Sequence, residues 1–376
     1  DGYDYTMVGT NFLSGTSGNV ITINSDDGTN SFDLIKTSGA IVADYVNINR
    51  TAASGGATFY LTANSTQTNC TGWTTSGSGN IKTISAAGGN WDATTAWNEG
   101  AVPVAGDRVF GLASSGNLAV NVASANLTTI DLHLYTGTLS GSSNITVVNS
   151  SSDEYIKINA GTLSWTGTLN INPASSRTAY VKTNSKACNI TINGAGTVKI
   201  VENMDTTGKV LTLSDGYFDT NNFNLTVGRI TMGAGADGLV HSSSSVITLT
   251  SNNTVSTTLR STYQPASGAV MINSGGNAIS AAGVAFQTLN ITAAGSVTIN
   301  IGSAVNLSRI GTAAKTDSLL INANITISDT LTLTGNTITN RLLIQSGTVG
   351  APITLTASTV DIDNVDFMDT IAAGTA

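Results

Sequence analysis

The densest gathering of groups able to do chemistry in this chain is VDIDNVDFMD (360–369), which carries carboxylates at Asp361, Asp363, Asp366 and Asp369. Asp361 and Asp363, two residues apart, fall on one face of a strand. With Asp366 they are the calcium candidates, or the groups that could polarise a sugar bond. Calcium takes about six to eight oxygens, drawn from more than one loop, so a single strand does not complete a site. His133 in LTTIDLHLY (127–135) alternates with Leu132 and Leu134 and is expected to point outward from a strand. His241, beside a serine run, reads the same way.

Acid–base catalysis needs two carboxylates, or a His and a partner, held across a cleft. Asp26 and Asp27 sit in the turn SDDGTN (25–30), and Asp153 and Glu154 follow serines; both pairs read as solvated turns. There is no GxSxG elbow, P-loop or CxxC pair, and GAGADG (233–238) reads as a turn. The expectation is no enzyme, no catalytic residue and no cofactor.

The elements that must carry these groups are short strands. VITIN (20–24), NITVV (144–148), NITIN (189–193), FNLTV (223–227), VITLT (246–250), NITIS (324–328) and TLTLT (330–334) alternate apolar and polar residues with period 2. Clusters such as SGSG, SSSS and SGG punctuate them with turn residues. Only 10% of the residues are charged while 40% are hydrophobic, so the surface is made polar by Ser, Thr and Asn. Long exposed helices, which depend on Lys and Glu, are disfavoured.

The fold read from this pattern is all-β: a parallel β-helix (β-solenoid) of stacked short-strand coils, for which right-handed crossovers are the default. Small aliphatics fill a narrow core in columns, while Asn and Thr ladders satisfy one another outside. Aromatics are 6% of the chain, fewer than sandwich cores usually want. Thr330, Thr332 and Thr334 read as a solvated β-face.

A net charge of −8, with the basic residues scattered singly, offers no stripe for phosphates, which excludes nucleic acid as a partner. Cys70 and Cys188 lie far apart with no metal-ligand spacing, and both are expected to be unpaired. No apolar run approaches the roughly 20 residues that cross a bilayer, so no membrane insertion is expected. Nor does a leader open the chain; any export signal is expected upstream or removed.

An internal echo organises the chain. GTSGNVITI (15–23) is matched by GTVGAPITL (347–355), and VADYVNINRTAASGG (42–56) resembles VDIDNVDFMDTIAAG (360–374). Residues 1–75 read as a first module closed by CTGW (70–73), and 76–260 as a stack opened by the NWDATTAW…PVAGD string. Residues 261–376 read as a continued solenoid ending in an incomplete copy of the first module. TTSGSGN (74–80) and the loop-rich stretch 260–285 are candidate joints. The second copy stops before a closure, so a longer protein or a neighbouring subunit is expected to complete it.

GGNWDATTAWNEGAVPVAGDRVFG (88–111) is the most distinctive string. Through Trp91, Trp97, Gly100, Pro103, Gly106, Asp107 and Val109 it resembles the W-x(5)-W-x(2)-G-x-x-P-x-x-G-D-x-V opener of β-helical modules. Such modules occur in large secreted bacterial surface proteins of autotransporter or adhesin type and in phage tail-fibre and structural proteins. YTGTLSGSSNITV (135–147) and YFDTNNFNLTVG (217–228) look like the coil motifs that follow it, and 53–73 is similar to a closing module, with Cys70 where such modules commonly carry Asn.

Physically, Trp91 and Trp97 can cover the end of an aliphatic core while Pro103 and Gly106 turn and Asp107 bonds turn amides. The functional alternative for the two Trp rings is glycan stacking.

The resemblance implies a non-enzymatic structural or adhesive fibre module, extracellular, on a virion or a bacterial cell surface. It would give a rigid extended shaft with weak contact to cell-surface glycan or neighbouring fibre subunits, and a homo-oligomer or head-to-tail assembly is open to it. A tailspike-like polysaccharide depolymerase is the alternative, although the His-containing and paired-Asp signatures of β-helical pectin-cleaving enzymes are missing. A self-assembling extracellular filament subunit is the other.

Overall fold

The computed structural model describes residues 4–8, 12–15, 18–26, 28–37, 40–62, 64–75, 81–149, 154–158, 161–183, 185–251, 257–312 and 317–374. Among them strands dominate, with a 3-10 turn at Thr94–Ala96. The strands pair in parallel between successive coils, so the chain is the β-solenoid expected from the alternation. Two compact units are present: Asp1–Val148 with Glu154–Thr166, and Asn149–Asp153 with Gly167–Ala376.

Val42 and Tyr60 pack with Ile81 and Phe110 in one buried cluster across the first expected joint; residues 76–80 of that joint lie outside the described residues. The stretch 260–285 carries Tyr263–Pro265, Val270–Asn273 and the start of Ala278–Ile291, all paired into the ladder of the second unit.

In the first unit, residues up to 75 wind as three-sided coils. One face stacks Asp4–Thr6, Phe32–Ile35 and Thr51–Ser54; another stacks Phe12–Ser14, Ala40–Asp44, Thr58–Leu61 and Trp73–Thr75; the third stacks Ile21–Asn24, Val46–Asn49 and Thr66–Thr68. Every second residue faces inward, which gathers Leu34, Ile41, Ala43, Val46, Ile48, Phe59 and Leu61 into one core. Two corners are made by non-glycine residues in the left-handed region, Tyr45 (φ 50°) and Arg50 (φ 54°). Outside, Asn49 Nδ2 donates to Asn24 Oδ1 at 2.8 Å, a rung of the expected Asn ladder. Trp73 joins the core edge-on to Phe59 and donates Nε1–H to Thr51 Oγ1 at 2.9 Å.

A second stack in the same unit runs Ile81–Thr83, Arg108–Phe110, Thr129–Asp131 and Glu154–Lys157 on one side. On another it runs Gly89–Asn90, Leu118–Val120, Thr138–Gly141 and Thr162–Leu163.

The second unit shows most plainly how register makes a core. One inward column reads Leu225, Ile247, Met271, Leu289, Leu307, Leu331, Val360. The outward column beside it reads Thr226, Thr248, Ile272, Asn290, Ser308, Thr332, Asp361.

On the other flank of that outward column, the inward run Val227, Leu249, Asn273, Ile291, Arg309, Leu333 admits two polar residues, both fully buried. Asn273 is satisfied by Gly276, donating to its carbonyl and accepting from its N–H, each at 2.9 Å. Arg309 donates to the carbonyls of Gly295 (3.0 Å), Ile310 (3.1 Å) and Ile291 (3.3 Å). Burial pulls its guanidinium below the ordinary arginine range, against the pull of Asp317.

Candidate functional site

The opener sits at the start of the second stack of the first unit. Trp91 N–H donates to Ala119 O at 2.8 Å and Asn98 N–H to Thr83 O at 2.9 Å. The two indoles meet edge to face, with centroids 5.0 Å apart, and Trp97 Nε1–H donates to Trp91 O at 2.9 Å. They are 1% and 2% exposed. Rings so enclosed leave no open face on which a sugar could stack. Pro103 is buried, Gly106 turns at φ 89°, and Asp107 Oδ2 accepts from Val104 N–H at 2.9 Å.

Glu99, within the same opener, escaped the sequence reading. Thr83 N–H donates to its Oε2 at 2.8 Å, while Oε1 is buried without a hydrogen-bond partner. Burial pushes its carboxyl above the ordinary range, the bond from Thr83 opposing this.

The densest ionic cluster lies on the outward side of the neighbouring strands. Arg108 grips Glu154 with both terminal nitrogens, at 2.7 and 2.6 Å, and lies over the Tyr60 ring, 5.6 Å from its centroid. Register places Phe110, Asp131 and Lys157 in one column. Asp131 Oδ2 accepts from Lys157 Nζ at 2.9 Å; Oδ1 accepts from His133 N–H at 3.1 Å and from Nδ1 at 2.6 Å. Burial alone would raise the Asp131 carboxyl, but His133 and Lys157 outweigh it and hold it below the usual carboxylate range. Both Asp131 oxygens accept hydrogen bonds from protein donors.

The two histidines differ from expectation. His133 lies in the turn just after Thr129–Asp131, bonded back to Asp131, because the strand ends before it. His241 is fully buried instead of facing outward. Its Nε2–H donates to Ser245 O at 3.0 Å, so Nδ1 accepts from the Tyr263 hydroxyl at 2.7 Å. Burial lowers its pKa to about 4.

The aspartates of 360–369 are brought to one edge without converging. Asp361 and Asp363 share an outward face in register with Thr332 and Thr334. Asp366 pairs instead with Arg341 Nε at 2.8 Å, and Asp369 Oδ2 accepts from Gly350 N–H at 2.8 Å. Among the described residues no three His, Cys, Asp or Glu side chains gather where they could hold a metal ion. Cys70 and Cys188 are free thiols, and burial pushes Cys188 up to about 12. Asp27 and Asp153 lie outside the described residues.

No family model matches the chain, and neither a curated protein nor a solved structure matches it.

Proposed function

We propose that the chain is a structural or adhesive fibre module, borne on a virion or a bacterial cell surface, whose role is extension and weak repeated contact rather than catalysis. The observation that carries this reading is the pairing of columns in the second unit. An aliphatic column fills the inside of each coil, and short polar side chains stand in line outside. Shallow outward positions, mostly Thr, Ser and Asn, repeat at the strand spacing of about 4.8 Å. That suits multivalent contact with a repeating glycan better than a single deep site. The strongest ionic cluster supports the same reading, since Arg108 with Glu154 and Lys157 with Asp131 neutralise one another.

A reducing-end assay on host capsular and cell-wall polysaccharides tests it. No sugar release is expected, together with retention on densely coated glycan beads but not on sparse ones. Sugar release above that of the heat-denatured chain would establish the depolymerase alternative in its place.

A further inference from the structure

In the middle of the second unit, away from either end of its stack, one outward tyrosine rests against the sheet. Tyr217 alternates with the buried Phe218 in the strand Met204–Asp219 and is 37% exposed. Its partner in register is Gly238. A Cβ at Gly238 would come within 3.1 Å of both Cδ1 and Cε1 of the tyrosine ring. Only a glycine lets the ring settle this closely, and Gly238 is buried with the ring against it although its column faces outward.

That glycine ends the string GAGADG (233–238), which falls inside the strand Leu225–His241. The register slips here: Gly216 pairs with Ala236 and Tyr217 with Gly238, so Asp237 is an extra residue opposite no partner. Such a bulge re-aims side chains locally. Asp237 is exposed, one residue before the glycine beneath the ring, and among the described residues no hydrogen bond or ion pair engages its carboxylate. The corner leading to Tyr217 is bare as well. Gly216 turns at φ 67°, and a Cβ on it would collide with the carbonyls of Gly194 and Gly196, so no side chain stands there to screen the ring. In the adjoining outward column Lys199 and Asp219 are in register and paired at 3.2 Å.

We propose that Tyr217 and Asp237 form a binding site for a neutral glycan, with one hexose ring stacked on the tyrosine and its hydroxyls donating to the Asp237 carboxylate. The site rests on the adhesive reading above and gives the glycan contact a location. A tyrosine braced by the sheet offers a broad apolar surface at low cost in side-chain freedom, and a hydroxyl bonded to a carboxylate makes a charge-assisted hydrogen bond. Charge selects the class of sugar. Asp237 would repel a uronic acid, and the nearby Lys199 is already held by Asp219.

The test measures retention of the full chain on beads densely coated with dextran, mannan or galactan, which are neutral, or with alginate, which is acidic. Retention on at least one neutral polymer, and less on alginate, is expected. It should fall about fivefold or more with Tyr217→Ala and with Asp237→Asn, and persist with Tyr217→Phe, which keeps the ring. All three substitutions fall on exposed side chains, so thermal melts should match the parent. Tyr155→Ala, at a tyrosine 38% exposed in the first unit, should leave retention unchanged. Equal retention of the parent and Tyr217→Ala, equal loss with Tyr155→Ala, or strongest retention on alginate overturns the site while the adhesive reading stands. Failure of the parent to be retained on any of the four polymers overturns that reading and the site with it.

Discussion

Outward positions are filled by different chemistry in the two units. In the first, Thr129 and Asp131 face out from the aliphatic core yet are almost wholly buried, and so are Glu154 and Lys157. Tyr60, from the neighbouring stack, packs against Phe110 with ring centroids 5.9 Å apart and receives Arg108 on its face. In the second unit the outward column from Thr226 to Thr332 is half-exposed and built of Thr, Ser and Asn, with Ile272 interrupting it. Where a second surface covers the sheet, outward residues must be paired ions or aromatics, since a lone buried charge is costly. Where water covers it, a short hydroxyl or amide suffices.

The largest expected break in this contrast is Asp131→Ala. It leaves the Lys157 ammonium buried without its carboxylate and should cost about 3 kcal/mol or more, read as a lower urea midpoint for the first unit. Acid should separate the units next. His241 has a folded pKa of about 4 against an ordinary 6.5. The unfolded chain therefore binds its proton first, and stability is full above the ordinary value. It falls between about pH 6.5 and 4, by up to about 3 kcal/mol at the acid limit.

Asp131, held low by its partners, loses its contribution in the same direction but at lower pH. Its contribution is complete above the ordinary carboxylate range and is lost as pH falls through that range and below. Hydrogen exchange against pH should thus show the second unit loosening before the first. A common midpoint that persists in His241→Gln would contradict the assignment. The smallest effect is expected at Thr248→Ala, on the water-covered face, which should move stability by no more than about 0.5 kcal/mol in the same urea experiment.

The alternation of VITLT or TLTLT makes strands, inward residues and outward ladders readable without coordinates. The ionic cluster is not readable this way. Phe110, Asp131 and Lys157 share a column only because successive coils differ in length, and sequence spacing alone does not tell which residues will align. His241 misleads for another reason, and Arg309 shows the same conflict. Period 2 places both inward, but their polarity argues for water, and only carbonyls freed at the corners, such as Ser245 O and Gly295 O, resolve the conflict. Glu99 stood in a string whose Trp and Gly residues carried all the pattern, so its burial left no periodic trace.

Arg309 also bears on how the coils find their places. Interchangeable Leu and Ile layers could slide by a whole turn with little loss of apolar contact, which leaves many rival alignments of similar energy. A slid layer would leave this guanidinium among hydrocarbon with its donors unanswered, a penalty that branched alkyl groups cannot impose. One awkward cation among aliphatic neighbours thereby works as a keyway: Arg309→Leu would give a core as greasy as before, but one freer to assemble out of step.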